Sequence, residues 1–138
     1  MRHSITLGFF LLLISPQVHA CRGASVEDTL FFKSIPDPQP DADLIANVSL
    51  STVNHGKAVA RIKQVLKTSD ARVHRGNKIS MKYGFSSCGP HHKSGDEGMI
   101  IAKIGTDSEG RIILYPYLRR YDDGRITQPT INNRNAPT

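Results

Sequence analysis

Apolar and polar side chains alternate through the middle of this chain. From Ala42 to Val53, Leu44, Ala46, Val48 and Leu50 fall on one face and Asn47, Ser49 and Ser51 on the other, the period-two pattern of a half-buried strand. Asn54-His55-Gly56 is a turn signal, and Lys57 to Lys67 resumes the alternation with Ala58, Ala60, Ile62 and Leu66 opposing Arg61, Lys63 and Lys67. The pair reads as a hairpin. After a polar, basic loop from Thr68 to Asn77, the segment Lys78 to Phe85 sets Ile79, Met81, Tyr83 and Phe85 against Ser80 and Lys82, a third strand. Met99 to Ile104 and Arg111 to Tyr117, joined by a turn over Gly105 to Gly110, give a second hairpin in which Ile112 and Leu114 share a face.

Outside these strands the pattern changes. Ser25 followed by Asp28, with Leu30, Phe31 and Phe32 behind them, predicts a short helix over residues 25–33. Pro36, Pro38 and Pro40 then forbid both helix and ladder and mark an extended connector. The end of the chain, Tyr121 to Thr138, is rich in Asp, Asn, Thr and Pro and has little to bury, so it predicts a loose tail. Five short strands at regular spacing predict an all-β domain, and the pattern leaves barrel and sandwich both open.

The first 20 residues carry Arg2 and His3, an apolar run from Ile5 to Ile14, and Ser15-Pro16-Gln17 before Val18-His19-Ala20, the layout of a secretory signal peptide. The run is shorter than a bilayer span, and no later stretch approaches that length, so no transmembrane segment is expected. Cleavage after Ala20 would make Cys21 the first mature residue. Expected localisation is secreted or periplasmic. A lipoprotein anchored to the membrane through Cys21 is the alternative, which His19 and Val18 fit less well. The domain division is then 1–20 leader, 21–120 folded domain and 121–138 tail.

The chain of 138 residues carries 18 Lys+Arg against 12 Asp+Glu, a formal charge of +6. Arg2 is the one charged residue of the leader, so the mature chain is one charge less basic. Such a chain, with no Trp and few aromatics, is small for a stable single core, and its two cysteines are able to staple it in an exporting compartment.

The ordered set of Cys21 at the mature terminus, Ala42-Asp43-Leu44-Ile45, Ile62 to Lys67, Ser87-Cys88-Gly89 and Gly98-Met99-Ile100-Ile101-Ala102 resembles the N-terminal, netrin-like domain of the tissue inhibitors of metalloproteinases, and bacterial secreted proteins with that domain more closely still. The similarity covers about residues 21 to 120. It implies a five-stranded Greek-key OB-fold barrel. It also implies a disulfide between Cys21 and Cys88, whose closed loop would contribute on the order of 4 kcal/mol. The resemblance further implies an inhibitory ridge made of Cys21, Arg22 and Gly23 with Ser87, Cys88 and Gly89, where the terminal amine and carbonyl grip the zinc of a protease. Gly23 stands where the inhibitors have another cysteine, and Arg22 where they place a small residue that enters the protease pocket.

One other constellation bears on function. Residues 57 to 82 hold eight Lys and Arg and a single Asp. Arg61, Lys63, Lys67, Arg72, Arg75, Lys78 and Lys82 are candidate polyanion contacts, with solvated strand edges as the plainer reading. Few aromatics interleave them, which disfavours nucleic acid. Cys88-Gly89-Pro90-His91-His92 lacks a third ligand, so no metal of the protein's own is expected, and no catalytic motif or cofactor site is present. The expected function is a non-enzymatic, secreted protein-binding module whose unidentified partner is a candidate zinc endopeptidase. The alternative is an envelope-associated protein, lipidated on Cys21, that binds polyanions through the 57–82 stripe.

Overall fold

The computed structural model describes residues 28–121, 123–129 and 131. Five strands close into a barrel: β2 (Leu44–Asn54), β3 (Lys57–Thr68), β4 (Lys78–Lys82), β5 (Glu97–Thr106) and β6 (Ile112–Pro116), in the cyclic order β2-β3-β4-β6-β5. Antiparallel pairing links every neighbouring pair except β4 and β6, which run parallel through Ser80↔Ile113 and Met81↔Leu114. The architecture is consistent with an OB-fold. A small second sheet, β1 (Asp28–Thr29), β7 (Leu118–Arg120) and β8 (Ile126–Thr127), forms in the order β1-β7-β8.

The barrel interior is filled by the inward positions that alternation gives: Leu44, Ala46, Val48, Leu50, Ala58, Ala60, Ile62, Ile79, Met81, Ile100, Ala102 and Leu114. At one end the sheet is covered on its outer face as well, where Phe32, Ala42, Ile45, Ile101 and Tyr117 make a second buried cluster. Ile45 and Ile101 therefore sit 1% and 0% exposed although their neighbours in sequence are also buried. The Tyr117 hydroxyl is satisfied within that cluster by donating to the Asp41 carbonyl at 2.7 Å.

Three sequence expectations are corrected. The short helix over residues 25–33 is absent from its described part: Asp28 and Thr29 pair with Arg120 and Arg119, and Phe32 N–H donates to the Met99 carbonyl at 2.9 Å. No helix occurs among the described residues. Phe31 and Phe32 take separate neighbours, as consecutive residues of an extended segment do, whereas a helix would swing them about 100° apart along one cylinder. The Greek-key description is replaced by a mixed barrel because of the parallel β4–β6 pair. The expected loose tail from Tyr121 is interrupted by an ordered strand, since Leu118↔Thr127 and Arg119↔Ile126 pair and hold β8.

The expected Cys21–Cys88 staple has only its Cys88 end among the described residues. No disulfide joins two described residues, Cys21 lies outside them, and the barrel is closed by backbone ladders and its apolar core. Among the described residues no cysteine is a free thiol. No helix among them is long and apolar enough to cross a membrane.

Candidate functional site

Three segments converge at one end of the barrel: the N-terminal segment, the β2–β3 turn and the loop between β4 and β5. The loop folds back on itself through reciprocal backbone bonds between Ser86 and Gly89, both 3.0 Å, so Ser87 and Cys88 form its tip. Ser86 Oγ accepts from the Cys88 N–H at 3.2 Å. Gly89, at φ +116°, lies against β1: a Cβ there would be 3.2 Å from the Asp28 carbonyl oxygen. The bare backbone is what lets the loop and the N-terminal segment touch. Of the expected ridge, Ser87, Cys88 and Gly89 are thus placed beside the segment that leads back to Cys21, Arg22 and Gly23, which lie outside the described residues.

His92 ties the two segments together. Its Nε2 accepts from the Leu30 N–H at 3.1 Å and lies 3.3 Å from Thr29 Oγ1. An accepting Nε2 puts the ring proton on Nδ1, which donates to Asp96 Oδ2 at 3.3 Å. The same carboxylate oxygen accepts from the Lys93 N–H at 3.0 Å. The imidazole side chain is 7% exposed and packs on Phe31 with ring centroids 4.7 Å apart. In the sequence His91 and His92 are adjacent and alike, with no third ligand near them. Only tertiary structure separates them, because the His92 partner Leu30 is 62 positions away.

Burial holds the His92 pKa below 6.5, against the opposing pull of Asp96, and the charge of His91 lowers it further. A depressed histidine means that the unfolded chain binds the proton first, so this contribution is complete above about pH 6.5 and is lost as pH falls through the native pKa. Asp41, Asp70, Asp96, Asp107 and Asp123 are all held below 3.8 by hydrogen bonds and cations, which keeps their titration under that window. The expected result is that the urea midpoint falls between pH 7 and pH 5, and that His92→Gln, which keeps an acceptor for Leu30, flattens this fall. An unchanged slope in the variant would remove His92 as its source.

Beside this latch, His55, Phe85 and His91 make an exposed ring cluster. Phe85 is 40% exposed, with His55 at 4.9 Å and His91 at 5.9 Å between ring centroids. Gly56 sets the position of the β2–β3 turn: at φ +79° it accepts from the Tyr83 N–H at 2.8 Å, and a Cβ there would meet the Tyr83 carbonyl oxygen at 2.6 Å. These groups line a cleft of about 600 Å³ that Asn54, Pro90, Lys93 and Asp96 complete. Phe85 was legible as an apolar residue of the third strand, but β4 ends at Lys82 and leaves it in the loop. No group of three His, Cys, Asp or Glu able to hold a metal ion is present among the described residues.

The basic stripe does not form one patch. Lys63 pairs with Glu97 at 3.5 Å and Arg72 with Asp70 at 2.6 Å. Lys67 lies at the opposite end of β3, across from Ile45, and Arg75 sits in the loop before β4. Arg61 and Lys78 remain directly opposite one another, and Lys57, which the sequence did not single out, is opposite Lys82.

Comparison of the chain with protein-family models, with curated proteins and with solved structures finds no match.

Proposed function

We propose that the chain is an exported, non-enzymatic binding module that meets a protein partner with the barrel end carrying Phe85. The observation that carries this reading is the exposed phenyl ring held between His55 and His91, at the convergence of the β2–β3 turn, the β4–β5 loop and the N-terminal segment. A large apolar ring fixed by its neighbours and rimmed by polar groups is the form that interface anchors take, because little side-chain entropy is left to lose on docking.

The resemblance to metalloproteinase inhibitors supports a zinc endopeptidase as the partner. In that family the ridge is built from the counterparts of Cys21, Arg22 and Gly23 and of Ser87, Cys88 and Gly89, and here the second set adjoins β1. A neutral terminal amine and its neighbouring carbonyl can fill the open position of a catalytic zinc. Arg22 directs the choice toward proteases whose specificity pocket accepts a cation. A secreted or periplasmic location follows from the leader in this reading.

The test is inhibition and direct binding of the exported protein against purified secreted zinc endopeptidases. At least one is expected to bind, with Phe85→Ala weakening the complex tenfold or more while the melting temperature stays within about 2 °C, as for an exposed side chain. Binding that Phe85→Ala leaves unchanged would move the interface elsewhere. Inhibition that survives acetylation of the terminal amine would reject the zinc-gripping mechanism.

A further inference from the structure

We infer that the outer face of β3 and β4 is a binding site for an acidic polysaccharide. Lys57 stands opposite Lys82 and Arg61 opposite Lys78, with Val59 opposite Ser80 between them. All four cations are exposed and alternate with the buried Ala58, Ala60, Ile79 and Met81, so they share the outer face. Cross-strand partners lie about 5 Å apart at Cβ. The two pairs are separated by four residues along each strand, roughly 13 Å. Among the described residues none of the four has an acidic partner within ion-pair distance.

This arrangement works against the fold. Like charges directly opposite in an antiparallel pair are destabilising, and here two such pairs stand on one face. The plainer account of strand lysines is protection of an open edge, but β3 and β4 are neighbours inside a closed barrel and neither presents an edge. The repulsion is relieved when an anion lies between the pairs. A groove of about 760 Å³ runs from Lys78, Ser80 and Lys82 toward the β5–β6 turn. Arg72 and Arg111 also line it, each already held by carboxylates: Asp70 for the first, Asp107 and Glu109 for the second. The uncompensated cations of the groove are therefore Lys78 and Lys82, and Lys57 and Arg61 stand beside them across the β3–β4 ladder, outside the groove lining.

The lining selects the class of polyanion. No aromatic side chain borders the groove, so there is no platform on which bases could stack. Asn77, Ser80 and Ser108 supply neutral donors and acceptors between the cations, which suits the hydroxyls of a sugar chain bearing carboxylate or sulfate groups.

The site is tested with heparin and polygalacturonate, a sulfated and a carboxylated chain, alongside a single-stranded oligonucleotide and phosphatidylglycerol vesicles. The full-length exported protein is expected to bind at least one polysaccharide at low salt and to lose affinity steeply as salt rises. The variant Lys57→Gln/Arg61→Gln/Lys78→Gln/Lys82→Gln should lose 30-fold or more, and should melt at the same or a higher temperature because the repulsion is gone. Lys63→Gln/Lys67→Gln/Arg75→Gln removes charge elsewhere and should change affinity less than threefold. Equal losses in the two variants would reduce the effect to net charge and overturn the site. Tighter binding to the oligonucleotide or the vesicles than to either polysaccharide would overturn the ligand class. Phe85→Ala should leave polysaccharide binding intact, which separates the failure of this site from failure of the protein-binding end.

Discussion

Replacing Leu114 by alanine is expected to lower the stability of the domain by about 3 kcal/mol, a large share of the 5–15 kcal/mol typical of a folded domain. Leu114 is 0% exposed and sits at the centre of β6, with Met81 beside it on the parallel side and Ile104 on the antiparallel side. That strand is the one that closes the barrel, so the ladders on both sides fix the backbone around the lost side chain and limit how far the cavity can collapse. The fitting comparison is Leu66→Ala, the same chemical change on β3 at a residue 45% exposed, for which less than about 1 kcal/mol is expected. Urea titrations with an unchanged slope read the two losses directly. Equal losses would mean that the register of β3 is not the one described.

Leu66 shows where the sequence pattern stops being sufficient. Strict alternation from Ile62 would carry Leu66 into the core, yet two of the three shifts in the pairing of β2 with β3 fall in this stretch, between Ala46↔Val65 and Ile45↔Lys67 and between Val48↔Ile62 and Asn47↔Gln64. Each shift inserts one unpaired residue on β3 and resets which face follows, so Val65 is partly buried and Leu66 is displaced outward. Bulges leave no mark in a single sequence. The five barrel strands were legible because one buried face imposes period two on each. Ile45 and Ile101 were not placed in the core by that rule, since their burial comes from a second layer built of Phe32, Ala42 and Tyr117.

The candidate sites divide in the same way. Residue types were readable, and their partners were not. Arg72 and Asp70 are two residues apart and their pairing is a local matter, but Lys63 meets Glu97 from another strand, and that contact withdraws it from the basic stripe. Lys57 gains its place only from the β3–β4 register. The misread helix is the clearest case. Ser25 and Asp28 carry a capping signal, yet the backbone groups of the described part are claimed by β7, by Met99 and by His92, and these distant partners outweigh a local preference.

The second large effect is expected at Gly98, where adding a methyl group should cost about 2 kcal/mol. A glycine within a strand usually weakens it, so its replacement by alanine away from any neighbour stabilises by about 0.5–1 kcal/mol. Here the sign reverses because a Cβ on Gly98 would lie 2.5 Å from Phe31 Cγ and 2.9 Å from Phe31 Cβ. Contact that close to the root of the side chain cannot be relieved by turning the ring, and the segment from Asp28 to Phe32 has to move. Such movement strains the Leu30 N–H bond to His92 and the bond from Arg119 Nε to the Phe31 carbonyl at 3.2 Å. Forced overpacking of this kind costs about 1–3 kcal/mol. A double-mutant cycle isolates the contact: in the Phe31→Ala background there is room for the methyl, so Gly98→Ala should become neutral or stabilising, with a coupling of at least about 1 kcal/mol. Additive losses would place the strain elsewhere in β5. A stabilising Gly98→Ala in the otherwise unaltered protein would show that Phe31 does not sit on this glycine, and with it would go the docking of the N-terminal segment that the protein-binding end requires.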